Sequence, residues 1–443
     1  MDTKVNQIPV FFSTILICIG IYLIGYQIPR SSFPLLISAF SFAFFGLFIL
    51  QKSNVTEKKL FGLGIILRVL LIFSVPILSD DYFRFLWDGL LIQNGFNPFE
   101  YKPSELIVQF QNSKIHNELY SGMNSQHYYS IYPPINQWFF FFSALTDSVL
   151  GGIITLRFFI IGFEIGTYFI IKKILKRYSL SLNRIWWYWL NPLVILELTG
   201  NLHGEGILIF FLLLALYNFS KLKDFNGGLF LGLSVLSKLF SLIFFPILLL
   251  KSRWYRSKKL LLGAIPLIII AFLPFLNWSN FNHLLQSLDL YFQSFEFNGS
   301  VFNILKWVGY QVFNFDIIKI AGPVLSIISF LLIILTSWLF RFRNRLVIFK
   351  ALTIIFCIYL FLSPIVHPWY CILPLTLSLF TNMKFMIAWS ATIFLSYGMY
   401  ASDLNYNIKT SLLFIEYLIV FVILFKDLKG SFSIQKIKTG IRF

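Results

Sequence analysis

Charge is scarce in this sequence: Asp, Glu, Lys and Arg supply 12% of 443 residues while 58% are hydrophobic, where a soluble globular chain carries about 25% charged residues. That scarcity excludes an ordinary soluble domain. Cysteine is nearly missing as well. Cys18, Cys357 and Cys371 all lie inside apolar runs, without the spacing of a disulfide framework or a metal site, and read as small core hydrophobes. Acids are outnumbered, 19 against 36 Lys plus Arg, for a formal net charge of +17. A nucleic-acid footprint would be one basic stripe or patch. Here the basic residues gather in separate short segments: Lys58 and Lys59, Lys172 to Arg184, Lys251 to Lys259, Arg341 to Arg345, and Lys426 to Arg442. This is the positive-inside pattern of a membrane protein and argues against a nucleic-acid partner.

What the sequence does have is a series of long apolar runs, about 17–25 residues each, the length a helix needs to cross roughly 30 Å of hydrocarbon; the ten-residue alternation of outer-membrane barrels is missing. The clearest runs are 8–27, 32–51, 59–78, 151–172, 184–200, 204–220, 226–238, 239–250, 260–277, 317–340, 346–366, 369–382, 384–401 and 409–425. The expected fold is an all-α polytopic membrane protein with about 12–14 transmembrane helices. The run from Ile8 to Gln27 lacks a small-residue cleavage site and is expected to remain as the first span.

With the basic segments cytoplasmic, both termini are expected there too, in the inner membrane. Segments 79–150, 201–203, 278–316, the stretch around His367, and 402–408 then fall on the outer face. Residues 134–150 are apolar enough to span, but that would invert the next basic loop, so an interfacial amphipathic helix is expected. Residues 226–250 have basic flanks at both ends, which two short helices meeting at Ser237–Lys238 would satisfy. Lys238 then sits at the tip, where an ammonium costs several kcal/mol without a partner or an aqueous cavity, so it is a functional candidate.

Polar chemistry collects on the outer side. The stretch SDDYFRFLWDG places Asp80, Asp81, Arg84 and Asp88 just after an apolar run; as a helix over 81–93, the i, i+3, i+7 spacing puts Asp81, Arg84 and Asp88 on one face with hydrophobes on the other. A solvated surface helix with Asp80 or Asp81 as N-cap is the plain reading. Other segments add to it: SIYPPINQ brings Tyr132, NLHGE brings Asn201, His203 and Glu205, and HPWY brings His367 and Tyr370. His116 and His127 read as exposed loop residues, and Glu197 as reaching toward the outer cavity. Arg68, Arg157 and Glu164 lie inside apolar runs, as an internal pairing or as substrate contacts.

One carboxylate as base and several cations for a phosphate suit glycosyl transfer from a polyprenyl-phosphate sugar, in which the acceptor hydroxyl loses a proton and a lipid phosphate leaves. The alternative is a polytopic transporter or flippase for a lipid-linked or anionic glycan, which would show internal repeats or a charged central cavity. Divalent metal binding through two carboxylates and water is allowed by these residues but not favoured.

The ordered series DDYFRFLWDG, GFNPFEY, YPPINQ, NPLVILELTGNLHGE, LSKLFSLIFFPILL, FNGS and SPIVHPWY resembles the GT-C superfamily of membrane glycosyltransferases, most closely the bacterial branch described as mannosyltransferases using polyprenyl-phosphate sugars. The resemblance covers most of the chain from about residue 60. It implies three regions: an added pair of helices over 1–58, a catalytic domain over 59–425 with outer loop 79–150, and a basic cytoplasmic tail over 426–443. It implies inverting transfer of a hexose, mannose first, onto a hydroxyl of a glycan, glycolipid or other acceptor. It implies Asp81, or its neighbour Asp80, as base. Lys238 and His367 are implied near the donor phosphate, and His203 and Glu205 near the acceptor. Arg84, Asp88, Tyr132, Asn201 and Tyr370 complete the expected substrate-binding set. Many such enzymes need no metal or other cofactor, although oligosaccharyltransferase relatives need a metal; none is expected to be required here.

Overall fold

A computed structural model describes residues 7–251, 254–275, 277–293, 295–341 and 346–439; Arg253, Arg343 and Arg345 of the basic segments and the last four residues of the tail lie outside them. Among the described residues the protein is helical throughout, with two isolated bridges joining Phe297 and Asn298 to Ile365 in place of any sheet. The chain opens with an antiparallel pair, α1 (Gln7–Tyr26) and α2 (Phe33–Lys52). Their axes approach closely because a Cβ at Gly20 would sit 2.6 Å from the Ala39 carbonyl oxygen, and one at Gly46 2.7 Å from that of Ser13. Small residues at such contacts are how helices pack in lipid. The outward faces stay apolar: Phe11, Phe12, Phe42 and Phe45 are exposed, as lipid contact requires.

Among the described residues five helices are each long and apolar enough to cross a membrane: Ile8–Tyr26, Phe33–Lys52, Val149–Arg177, Ile318–Phe340 and Tyr406–Lys429. Pro192–Gly200 and Glu205–Ser220, bent by 112°, make a sixth if taken as one broken span. The multi-pass, all-α architecture is therefore as the sequence leads one to expect, whereas single helices of full length are fewer than 12–14. Hydropathy counts residues and is blind to interruptions. The run 59–78 is helical only as α3 (Glu57–Val69), 184–200 is cut by Pro192 and a π-helical turn at Ile195–Gly200, and the 239–250 run begins as a 3₁₀ segment, Leu239–Phe244.

Interrupted helices leave backbone carbonyls unpaired where no water reaches them, and each must find a donor. Arg157 supplies it: its guanidinium donates to the carbonyls of Thr199 (2.7 Å), Ile72 (2.6 Å), Ser74 (2.8 Å) and Gly200 (2.9 Å). Glu164 pairs with Arg68 instead, at 2.7 Å and with both side chains fully buried, while Arg68 also donates to the carbonyls of Gly64 and Trp189. The three buried charges are thus consumed in holding the fold.

After α3 the chain turns into α4 (Asp81–Gln93), whose bounds are those the spacing predicts. Its setting differs. Instead of an interfacial helix with one wet face, α4 is buried nearly all round, because residues 95–148 fold over it. A Cβ at Gly89 would meet the Phe140 carbonyl oxygen at 2.0 Å, so helix Pro134–Ala144 lies directly against α4. That second helix has 11 residues, about 16 Å, too short to span. His116, expected at the surface, is buried: it stacks on Phe110 at 4.0 Å and hydrogen-bonds Ser113 at 2.7 Å. His127 is exposed.

Candidate functional site

Two short breaks in helices and the start of α4 converge on one cavity of about 440 Å³. Its wall includes Asp80, Asp81, Arg84, Tyr132, Lys238, His367 and Tyr370, seven side chains the sequence singles out from four separate segments. Arg30, Phe297, Trp369 and Tyr400 join them. A smaller slot of about 30 Å³ adjoins, walled mostly by hydrophobes such as Phe85, Phe139, Phe140 and Phe159, and by His203. Asp81, Tyr132 and Lys238 border both.

The two neighbouring aspartates differ in partner. Asp80 holds the N-cap position of α4 but makes no capping bond; it pairs with Arg30 at 2.5 Å, from the turn between α1 and α2. Arg30 in turn lies over the Tyr400 ring at 4.7 Å. Asp81 opens α4, its N–H donating to the Ser79 hydroxyl at 3.3 Å. His203 Nδ1 lies 3.9 Å from the Asp81 carboxylate. Burial raises its pKa to about 6; the Lys238 charge pulls against this, and Glu205 and Asp80 add to it. The side chain is 28% exposed, and that exposure is onto the cavity. An acid with this value is ionised at neutral pH yet basic enough to accept a proton.

Lys238 is placed by a break in the backbone. Helix Asp224–Ser237 ends there, Lys238 is extended (φ −161°, ψ 133°), and Asn136 Nδ2 donates to the Ser237 carbonyl at 2.8 Å, pinning the break. Two short helices meeting at Ser237–Lys238 is what the basic flanks predict. The ammonium pairs with Glu205 and lies 5.1 Å from the Tyr370 ring centre. Glu205 stands behind Lys238, outside the cavity wall.

Arg84 and Asp88 form a clamp on the loop above α4. Arg84 Nε donates to Asp88 at 2.7 Å and Nη1 to the carbonyls of Ser125 and Tyr128, at 3.2 and 2.8 Å. Asp88 also accepts from Ser130 (2.5 Å) and Gln137 (3.1 Å) and is fully buried, so it does not reach the cavity. Arg84 does, and its buried Nη2 has no hydrogen-bond partner among the described residues. Asn201 is also behind the wall, bonded to the Leu78 amide and to Glu197.

His203 and His367 both stack on Trp369, at 3.6 and 4.4 Å, and Phe297 stacks on His367 at 4.9 Å. Burial, and then the Lys238 charge, holds His367 down to about 3, and burial holds His203 well below the usual value, so both are neutral imidazoles at pH 7. Phe297 is kept in place by its own neighbour: Asn298 donates to Glu416 at 3.1 Å, and Glu416 also accepts from Trp389 at 2.9 Å.

Several working residues escape a reading of the sequence. Arg30 sits in a turn of an apparently separate helix pair, Glu416 inside a span, and Glu197 is fully buried rather than reaching the cavity. Asn136 and Gln137 had a signal, since both belong to the YPPINQ motif. Among the described residues no group of three or more His, Cys, Asp or Glu is arranged to hold a metal ion.

Residues 32–253, half of the chain, match the family model described as alpha-(1->6)-mannopyranosyltransferase, N-terminal domain. The match takes in α2 to α4, the turn at His203 and the break at Lys238; Arg30 and the HPWY segment lie beyond it. No curated protein matches the chain.

Proposed function

Because the chain belongs to the alpha-(1->6)-mannopyranosyltransferase family, and is therefore a membrane mannosyltransferase, we propose that its donor is a polyprenyl-phosphate mannose and its base Asp81. The acceptor hydroxyl enters the cavity and attacks the anomeric carbon from the side opposite the phosphate. Its proton goes to Asp81, the C1–O bond to phosphate breaks, and the configuration at C1 inverts without a covalent intermediate. Following the family description, the acceptor is a 6-hydroxyl of a mannose-containing glycan or glycolipid.

The observation that carries this reading is the position of Asp81, where a cavity bearing the charged side chains of Arg30, Asp80, Arg84 and Lys238 meets a slot walled mostly by hydrophobes. A lipid phosphate has the same division. Its charge would face Lys238, with the Arg84 guanidinium also on the wall, and these stabilise the leaving group as negative charge grows. The slot, at about 30 Å³, would have to widen before a prenyl chain could lie along Phe85, Phe140 and Phe159. His367 would act as a neutral hydrogen-bond partner rather than as a cation. The flippase alternative is less favoured, since Arg68, Arg157 and Glu164 are occupied by one another or by backbone and Lys238 pairs with Glu205. By the positive-inside rule the basic segments are cytoplasmic and the cavity faces outward.

The test is transfer of labelled mannose to a mannan acceptor by purified protein. Label should move from polyprenyl-phosphate mannose, not from a nucleotide-linked mannose, and at an unchanged rate with chelator. Transfer from the nucleotide donor would overturn the donor assignment, and loss with chelator would require a metal.

A further inference from the structure

Arg30 is a cation on the cavity wall that transfer as described above leaves without a task. It stands in the turn between α1 and α2, and the family match begins only at residue 32, so the match assigns it no role. Its Nη2 donates to Asp80 Oδ2 at 2.5 Å, and its guanidinium lies 4.7 Å from the Tyr400 ring centre. That is the one hydrogen bond the guanidinium makes to a described residue, out of the five N–H donors such a fork carries. Two features set the pair apart from a strut of the fold. Asp80 occupies the N-cap position of α4, yet its side chain makes no capping bond and turns to Arg30 instead, giving up a contact that stabilises most helix starts. The two side chains also stay 30% and 31% exposed, both on the cavity wall, where an ion pair adds little to folding.

Position and charge say what the pair would meet. Arg30 and Asp80 line the large cavity but not the slot, whereas Lys238 borders both. From Lys238 a row of neighbouring rings, Tyr370, His367, Phe297 and Tyr400, leads along the wall to Arg30, with successive ring centres 5.3, 4.9 and 5.4 Å apart. Lys238 and Arg30 thus stand at the two ends of that row, and the Asp81 carboxylate feels both charges. Their counter-ions sit differently. Glu205 stands behind Lys238, but Asp80 is on the wall beside Arg30, so an anion arriving at Arg30 would meet a carboxylate. A guanidinium and a carboxylate side by side offer several donors and an acceptor at no net charge, which suits sugar hydroxyls rather than a phosphate.

We propose that Arg30, held by Asp80 and Tyr400, is the subsite for the uncharged acceptor mannose, bonding its ring hydroxyls while its 6-hydroxyl reaches Asp81. This rests on Asp81 as the base and on a lipid phosphate at Lys238. The attacking hydroxyl must approach C1 from the side away from that phosphate, and Asp80 is the chain neighbour of Asp81, so a sugar ring held at Arg30 stands next to the base. The first helix pair then takes part in acceptor choice as well as in packing against lipid.

The test uses the full chain in detergent, with polyprenyl-phosphate mannose as donor and methyl α-(1→6)-mannobioside and the monodeoxy analogues of its terminal ring as acceptors. Arg30→Met should raise the acceptor KM about 10–100-fold, the cost of losing charge-assisted hydrogen bonds, with donor KM and kcat within about twofold. At least one deoxy acceptor should be poor with the wild type yet no worse than the parent acceptor with Arg30→Met, a coupling that a merely structural loss does not produce. Arg30→Lys keeps the pairing with Asp80 but not the fork; it should melt with the wild type and recover only part of the acceptor affinity. An unchanged acceptor KM, additive losses for every deoxy acceptor, or a raised donor KM in its place would overturn the subsite. Saturation-transfer NMR of the mannobioside with polyprenyl phosphate present makes the same comparison without turnover. There the wild type should bind and Arg30→Met should bind more weakly; equal binding, or none by either, would overturn the subsite. A wild type that binds the acceptor through Arg30 yet transfers nothing from the lipid donor would instead overturn the donor or the base and leave the subsite standing.

Discussion

At the scale of single residues, the argument turns on two adjacent aspartates with opposite surroundings. Asp80 is neutralised by Arg30, and Asp81 is left with a cavity before it and a raised pKa of about 6. The sign of the consequence is fixed. A base works when deprotonated, so kcat/KM should fall tenfold per pH unit below about 6 and level off above it. The same shift acts on stability in the other direction. A carboxyl whose folded pKa of about 6 exceeds its unfolded value of 3.8 costs nothing to folding below 3.8, costs progressively more as the pH rises from there to about 6, and carries its full penalty above that. Asp81→Asn, which removes that charge, should therefore raise the thermal midpoint in detergent at pH 7.5 and change it little only at a pH below 3.8. The shift is worth on the order of 1–3 kcal/mol, less what the exposed part of the side chain recovers from solvent. A midpoint lowered at pH 7.5 would contradict the burial of the charge.

At the scale of elements, helices that stop early are what make the site. Lys238 points into the cavity because helix Asp224–Ser237 ends before it, and Asn136 holds that end by a single bond to the Ser237 carbonyl. Asn136→Ala leaves a buried carbonyl unpaired, at a cost of about 1–3 kcal/mol. It touches neither Lys238 nor Asp81 by any bond described above, yet transfer should fall about tenfold, equivalent to about 1.4 kcal/mol of lost transition-state stabilisation. Unchanged transfer would mean that the break is rigid without its pin. α4 and the Ser237–Lys238 break were legible in the sequence for local reasons: spacing along one helix and basic flanks on both sides. Breaks at Val69 and within 184–200 were not, since a hydropathy window reads through them. Nor was the burial of α4, which depends on residues 95–148 folding over it, a property of the tertiary fold alone.

At the scale of the molecule, the site is assembled from partners far apart in the chain. Arg30 meets Asp80, Glu197 meets Tyr397, and Asn298 meets Glu416. Residue type and local spacing expose the near groups, which is why Asp81, Lys238 and His367 could be singled out. Pairings across 50 to 200 positions leave no local mark, so Arg30 and Glu416 were invisible and Glu197 was misplaced. One consequence concerns the first helix pair, which looks like an addition to the core. Through Arg30 it fills one wall of the cavity, beyond the segment that the family model covers.

The central claim is that one of two neighbouring carboxylates does the chemistry, on the outer face. Its most direct test is mannose transfer by right-side-out sealed vesicles bearing the wild type, Asp80→Asn or Asp81→Asn, with labelled polyprenyl-phosphate mannose and product exposure read by an impermeant mannosidase. The account predicts outward-facing product from the wild type, a loss of about 10²–10⁴-fold in Asp81→Asn, and a loss under about tenfold in Asp80→Asn, since an Arg30 left unpaired at a half-exposed position costs little. Equal turnover by Asp81→Asn and the wild type, or product sealed inside the vesicles, would contradict it.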